Sequence, residues 1–357
     1  MPKLFLKEYP LFISIIALVV ILPFEHTLAS TNFGNIFGFI TLFAVIIYSA
    51  LNVAHHAEIL AHKYGEPYGT LILTFSAVVV EIVIIVIMMM HQENPFLVRD
   101  TIYSAVMLDI NGLLGVAAIV GGIKYGEQQY NVDSTNSYMS MILVAIGIAM
   151  VMPHFVASEK LPVYLDFMII MFIALYIIFT RIQLNEHRYF FEYKGKHINE
   201  ENCIDEEKIN GPYHAVILVL SIIMIGFLSE ILSIFMSNNL SSLGLPLTLG
   251  AFAVAIISAS PELITAIRSA LNNNMQNVVN IAVGASLATV LLTIPSVLIV
   301  AKFMHMPIDL AITPIQGIML GLTILASIIH FNDGETNMLE GFVHFVLFIV
   351  FFFLMFM

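Results

Sequence analysis

Eleven apolar runs decide which solvent this chain can fold in. They lie at about 9–24, 35–60, 67–90, 98–123, 138–157, 162–181, 214–236, 244–271, 275–301, 308–330 and 338–357. A helix needs roughly 20 apolar residues to cross a hydrocarbon core of about 30 Å. Inside lipid, only helices and closed barrels satisfy all of their own backbone groups. Breakers part the runs: Gly65 and Pro67, Pro95, Pro162, Gly211 and Pro212, Gly244 and Pro246, Pro307, and Gly334. With 59% hydrophobic and 11% charged residues and a mean hydropathy of +0.95, the 357-residue chain is too apolar for a water-soluble core. The expected fold is an all-α polytopic membrane protein of about 11 transmembrane helices.

The first run is short and follows Lys3 and Lys7; Thr27-Leu28-Ala29 behind it is a poor mimic of a cleavage site. It reads as a retained span rather than a signal peptide. With the N-terminus inside, the inner side carries Lys3, Lys7, Lys63, Lys124, Arg181, Arg188, Lys194, Lys196, Lys208 and Arg268. Only Arg99, Lys160 and Lys302 fall outside. The positive-inside rule then predicts a cytoplasmic N-terminus, an external C-terminus and a multi-pass protein of the cell's inner (plasma) membrane.

One long polar segment, 182–213, divides the chain, and its cluster Glu200, Glu201, Asp205, Glu206 and Glu207 reads as part of a solvated cytoplasmic linker. The organisation expected is an N-terminal helix (1–30), a five-helix repeat (31–181), the loop (182–213) and a second five-helix repeat (214–357). Five crossings is an odd number, so the second repeat enters the membrane inverted. Gly69 lies twelve residues before Glu81 and Gly250 twelve before Glu262, which pairs the second helix of each half.

The formal charge of −12 argues against nucleic acid. The single cysteine, Cys203, cannot make an internal disulfide. No cofactor is called for. The partners implied are the lipid bilayer and inorganic cations, with a homo-oligomer left open.

Glu81 and Glu262 are lone carboxylates near the middle of long apolar runs, without an obvious basic partner at similar depth. An ionisable group there is costly and usually functional. Two such groups in corresponding places would hold a cation or take up protons. Ser258, Glu262 and Thr265 share a helical face, as do Thr70, Thr74 and Glu81. The next helix of each half carries Asn111 with Gly112 and Gly115, and Ser286, Thr289 and Thr293. The small residues permit close helix approach. Buried hydroxyls can also simply bond their own or neighbouring helices. Pro261 removes the helix bond to residue 257 and could present the Ile257 carbonyl as a neutral ligand. About six to eight mixed oxygens suit Ca²⁺ better than Zn²⁺, which wants His or Cys.

Asp109 is a third deep carboxylate, about 200° around the helix from Asn111. It could be a proton relay, a second cation site or a neutral acid bonded to a neighbouring helix. In AHHAEILAH, residues Asn52, His55, Glu58 and His62 fall near one face. His55 and Glu58 could be accessory groups of a cytoplasmic cation or proton vestibule, metal ligands, or a solvated helix end. HExxH is absent, which argues against a metalloprotease. Glu230, His154 and His344 read as isolated groups with mainly structural or interfacial roles.

At these residues the chain resembles a known family. AHHAEILAHKYGEPYGTLILTFSAVVVEIVIIV (54–86) and LGAFAVAIISASPELITAIRSALNNNMQNVVNIAVGASLATVLLTIPSVL (249–298) are similar to the paired signature repeats of bacterial Ca²⁺/H⁺ antiporters of the ChaA type. These belong to the cation/proton exchanger branch of the Ca²⁺:cation antiporter superfamily. The resemblance implies ten core helices in inverted repeats plus one N-terminal helix, with Ca²⁺ bound at glutamates matching Glu81 and Glu262. Asn111 matches the family's polar residue on the following helix; its counterpart in the second repeat falls near Ala288 and Thr289. The wider branch carries Gly-Asn-Ala before its glutamates where this chain has Val78-Val79-Val80 and Ser260-Pro261, so fewer side-chain ligands remain for strict Ca²⁺ selectivity. Members of this type are associated with Na⁺ and K⁺ as well as Ca²⁺.

The mechanism expected is antiport by alternating access: two carboxylates in low dielectric are neutralised by a cation or by protons, and only neutralised forms cross. A third proton per Ca²⁺ would add roughly 2.3 kcal/mol per 100 mV of membrane potential. A cation channel using the same carboxylates is the alternative; a membrane-embedded enzyme lacks a nucleophile or metal motif.

Overall fold

The structure, a computed structural model, describes residues 8–65, 68–92, 94–183 and 210–357. The loop acids and Cys203 discussed above lie outside them.

Helix α1 (Tyr9–Ile21) runs through a 3₁₀ turn, Leu22–Phe24, into the short α2 (Glu25–Ala29). Then come α3 (Asn32–Tyr64) and α4 (Tyr68–His91). Helices α5 (Leu97–Met107) and α6 (Leu114–Tyr125) form one rod, joined by a π-helical turn at Leu108–Leu113. Helix α7 (Val132–Ile146) ends in a second π turn, Gly147–Val151, and α8 is Leu161–Arg181. After the loop follow α9 (Gly211–Leu243) and α10 (Thr248–Leu271). Helices α11 (Met275–Ala288) and α12 (Ile294–Met304) again make one rod around a π turn, Thr289–Thr293. The chain closes with α13 (Pro314–His330) and α14 (Met338–Leu354). Strands β1 (Glu127–Gln129) and β2 (Glu335–Asn337) pair antiparallel, with Gln128 opposite Thr336.

Among the described residues, nine helical segments are long and apolar enough to cross a membrane, and α13 and α14 are apolar helices of 17 residues each. The ends obey capping chemistry. Thr31, Asn131, Asn210, Asn274 and Asn337 each accept from a backbone N–H of the first turn, and Thr313 with Gln316 forms a full capping box. Gly65 and Gly244 end α3 and α9 at positive φ, where a side chain would be strained.

Two inverted five-helix repeats fit this element order. The first helix of each half has 33 residues, α3 and α9. The second has 24, α4 and α10. The third is a rod of 29 or 30 residues, Leu97–Tyr125 and Met275–Met304, each with a π turn inside.

Two compact units interleave the halves: Met1–Leu97 with Glu200–Pro261, and Val98–Asn199 with Glu262–Met357, as far as residues are described. In the first, α3 packs on α9 and α4, and α1 packs on both α3 and α9. Gly38 lies where a Cβ would come within 2.9 Å of the Phe235 ring, and Asn52 donates to Ser221 at 3.1 Å. In the second unit, α6 and α14 meet through small residues. A Cβ on Gly115 would sit 2.9 Å from the Phe345 nitrogen, one on Gly122 2.5 Å from that of Met338, and one on Gly341 2.7 Å from that of Ile119. This is the close approach that small residues permit in lipid. Gln276 of α11 holds α7 through the Asn131 N–H and the Ser134 hydroxyl. On α8, Val163, Ile170 and Ile177 recur every seven residues, at 72%, 68% and 60% exposed, an apolar stripe suited to lipid.

Candidate functional site

The two acids singled out in the sequence lie on the second helix of each half. On α4, Glu81 is buried at 4% exposure, as are Val78, Val80, Ile84 and Ile85 of the same helix. Thr74, two turns earlier, is half-buried. A buried carboxylate in such company is costly unless paired, protonated or used. On α10, Glu262 is half-buried. The helix passes Pro261 without ending. The hydroxyls before it turn onto their own helix: Ser258 donates to the Ala255 carbonyl at 3.1 Å and Ser260 to that of Ile256. Thr265 is exposed.

The second unit assembles a polar interior around the two π turns of the third rods. Such turns frequently mark functional sites. Asp109, 2% exposed, accepts a hydrogen bond from Ser286 of α11 at 3.0 Å. Asn111, fully buried two residues on, points elsewhere. Its amide donates to the Thr323 hydroxyl on α13 at 2.7 Å, and its oxygen faces His344 Nδ1 on α14 at 3.0 Å. The sequence reading that Asp109 and Asn111 face apart therefore holds. Of the alternatives for Asp109, the bond to a neighbouring helix is present. Ser286, grouped by sequence with the cation-binding face, is brought to Asp109. Thr289 and Thr293 are buried at the two ends of the π turn between α11 and α12.

None of the three groups that look isolated in sequence is isolated in the fold: His154 Nε2 lies 2.5 Å from the Ile312 carbonyl and Glu230 lies 3.8 Å from His91 Nε2. His344, isolated in sequence, is 3% exposed and is the partner of Asn111, 233 positions away. Only tertiary packing reveals that pairing. Thr323 was missed for the same reason. Also unread was a buried cluster at the start of α5. The Arg99 guanidinium donates through Nε to Asp100 at 2.8 Å and through Nη1 to the Ala311 carbonyl at 3.0 Å, and Gln316 donates to the same Asp100 oxygen at 2.9 Å.

The accessory pair His55 and Glu58 is exposed, as is His62, whereas Asn52 is buried. Among the described residues, no three His, Cys, Asp or Glu side chains are grouped to hold a metal ion. Outside the spans, Tyr130 anchors the ribbon by donating to the His330 and Glu335 carbonyls. Burial first, then the charges of Glu340, Asp333 and Glu335, hold its phenol well above the usual range, so it remains a donor.

Comparison with known proteins decides the family. The model of the sodium/calcium exchanger protein family matches residues 34–185 and 213–357. The chain belongs to the sodium/calcium exchanger protein family. Its members are transporters, not enzymes, and the chain is a multi-pass membrane protein. Among similar proteins, the sodium-potassium/proton antiporter ChaA of Escherichia coli is 30% identical over 96% of this chain and 94% of its own length. The Ca²⁺/H⁺ antiporter ChaA of Bacillus subtilis is 28% identical over 64% of this chain and 66% of its own. Native YfkE superposes with a TM-score of 0.75 at 21% identity, covering 96% of this chain and 99% of that one. The H⁺/Ca²⁺ exchanger CAX gives 0.67 at 15% identity, covering 98% and 89%. At such identities these two structures establish the exchanger fold. In element order, the Glu81 and Glu262 helices are the second of each half.

Proposed function

We propose that the protein is a cation/proton antiporter that exports Ca²⁺, with Na⁺ and K⁺ as further cargo, from the cytoplasm in exchange for protons. The observation that carries this reading is the likeness to the sodium-potassium/proton antiporter of E. coli, which runs nearly end to end in both chains. The Ca²⁺/H⁺ antiporter of B. subtilis supports Ca²⁺ as cargo. Glu81 and Glu262 are the groups that give up protons for the cation. A carboxylate at low dielectric is stabilised by either partner, and occupancy by one excludes the other. That exclusion couples the two flows without any nucleophile or cofactor. Asn111, Thr74, Ser258, Ser286 and Thr289 supply neutral oxygens near the π turns and the acid-bearing helices, and Asp109 with Ser286 forms an accessory polar pair.

The repeats run 31–181 and 214–357, after an N-terminal helix in 1–30. The protein sits in the inner membrane with its N-terminus in the cytoplasm, the side on which the Lys and Arg residues are concentrated. A channel would leak cations down their gradient without moving protons. Everted membrane vesicles separate the two: adding Ca²⁺, Na⁺ or K⁺ should dissipate a preformed pH gradient in vesicles bearing the protein and not in vesicles lacking it. Cation flux without proton movement would overturn antiport.

A further inference from the structure

The first unit holds a second set of buried titratable groups, none of them on the acid-bearing helices. Glu8, at the start of α1, and His56, on α3, are each 2% exposed; His214, near the start of α9, is 6% exposed. His56 Nε2 lies 3.0 Å from one Glu8 carboxylate oxygen, and the Tyr213 hydroxyl donates to the other. His56 Nδ1 lies 2.8 Å from His214 Nδ1. Three helices thus meet in one continuous hydrogen-bonded chain, Tyr213–Glu8–His56–His214.

We propose that this chain is a proton-binding latch that fastens the N-terminal helix to α3 and α9 and opens when it takes up one proton too many. The reasoning is a proton count. His56 must carry a proton on Nε2 to meet the Glu8 carboxylate. Between the two Nδ1 atoms there is room for one proton, on either nitrogen. With Glu8 ionised, the contact tolerates both imidazoles neutral, or one of them charged. With both charged, N–H faces N–H at a distance that only a hydrogen bond allows. The contact must then break, and two cations would be left in a buried site beside one carboxylate.

Other titratable groups lie nearby among the described residues. Helix α3 adds the exposed His55, whose ring lies 5.5 Å from that of His56. Lys63 Nζ and the Tyr64 hydroxyl border Gly211 at the start of α9. Helix α1 adds Tyr9, and α4 carries no acid or histidine from Tyr68 to Val80.

The latch is an addition to the exchanger core. The residues that match the family begin at 34, so α1 and Glu8 lie outside them. Among the described residues, Ser14 also ties α1 to α3 through Ser49, at 2.5 Å. The rest of α1 is apolar, with Ile16 and Val19 at 59% and 65% exposed. Opening the cluster therefore frees the start of α1 from the two long helices. The inference does not depend on which ion is carried.

Its test needs no transport assay. Hydrogen–deuterium exchange of peptides covering α1 would be followed in the purified full-length protein in lipid nanodiscs, corrected for the intrinsic pH dependence of exchange, from about pH 8 to 5, where imidazoles ordinarily titrate. In wild type, α1 protection should fall about tenfold on acidification, equivalent to roughly one pKa unit of differential proton binding. His214→Asn and His56→Gln should show no such step. Glu8→Gln, which keeps the size of the side chain, should have the low protection at every pH. Glu81→Gln should behave as wild type. A flat wild-type profile, an unchanged step in His214→Asn or Glu8→Gln, or loss of the step in Glu81→Gln would each overturn the latch.

Discussion

Asn111 is the residue at which packing and transport can be told apart. Replacing it by Leu keeps the volume and removes its bonds to Thr323, to His344 and to the Met107 sulfur. His344 Nδ1–H then loses its acceptor at 3% exposure, and His344 Nε2 has no hydrogen-bond partner among the described residues. A buried donor left unmade costs about 1–3 kcal/mol. The lost bond to Thr323 adds ~0.6 kcal/mol, the average for side-chain bonds between membrane helices. Thr323 retains the Met107 sulfur at 3.5 Å, so its hydroxyl is not stranded. Asn111→Leu should therefore lose roughly 2–4 kcal/mol. His344→Phe strands the Asn111 oxygen and should lose a similar amount, about 1–3 kcal/mol. The double variant leaves neither group unmatched, so its loss should fall short of the sum by about 1–2 kcal/mol. Reversible unfolding in mixed detergent micelles measures all four corners of the cycle. Additivity within ~0.5 kcal/mol would refute the pairing. Exchange by the double variant gives the second reading: if Asn111 also supplies an oxygen to the cation, stability returns and exchange does not. Recovery of both would remove Asn111 from the cation's path.

Glu81→Gln and Glu262→Gln should each abolish exchange in proteoliposomes while leaving the protein folded, since Gln keeps the size but cannot trade charge with a proton; near-wild-type exchange would exonerate that residue. Apparent Ca²⁺ affinity, read by calorimetry across about pH 5.5–9, should fall as pH drops through the coupled titration of carboxylates that bind either ion, and Asp109→Asn should leave that dependence in place. A profile that turns flat only in Asp109→Asn would move the proton site there. Gly341→Ala drives a methyl group to 2.7 Å from the Ile119 backbone nitrogen and should destabilise the α6–α14 contact by about 1–3 kcal/mol, visible as a lower midpoint in thermal unfolding. In a Cys203→Ser background, single cysteines near residue 305 should label only from outside and those within 182–213 only from the cytoplasm; the reverse pattern would invert the orientation.

Much of this protein can be read without coordinates because the bilayer allows so few solutions. Apolar runs of spanning length must be helices, and breakers must fall near their ends, so the order of elements and the repeat of five follow from hydropathy alone. Glu81 and Glu262 stand out because a carboxylate in such a run is an expensive exception, visible at one position. Small residues such as Gly115 likewise announce close packing, although not the helix they meet. What the linear pattern cannot carry is partnership between distant positions. His344 looked isolated because Asn111 is 233 residues away. Of the two adjacent histidines 55 and 56, helical periodicity favoured the one that proves exposed, because it knows nothing of α1 and α9 closing over the other. The matching π turns at Leu108–Leu113 and Thr289–Thr293 leave no proline or glycine signature common to both. Their polar side chains bond to other helices, Asp109 with Ser286 and Asn111 with Thr323 and His344, because packing brings distant positions within hydrogen-bond reach, and no linear pattern records that.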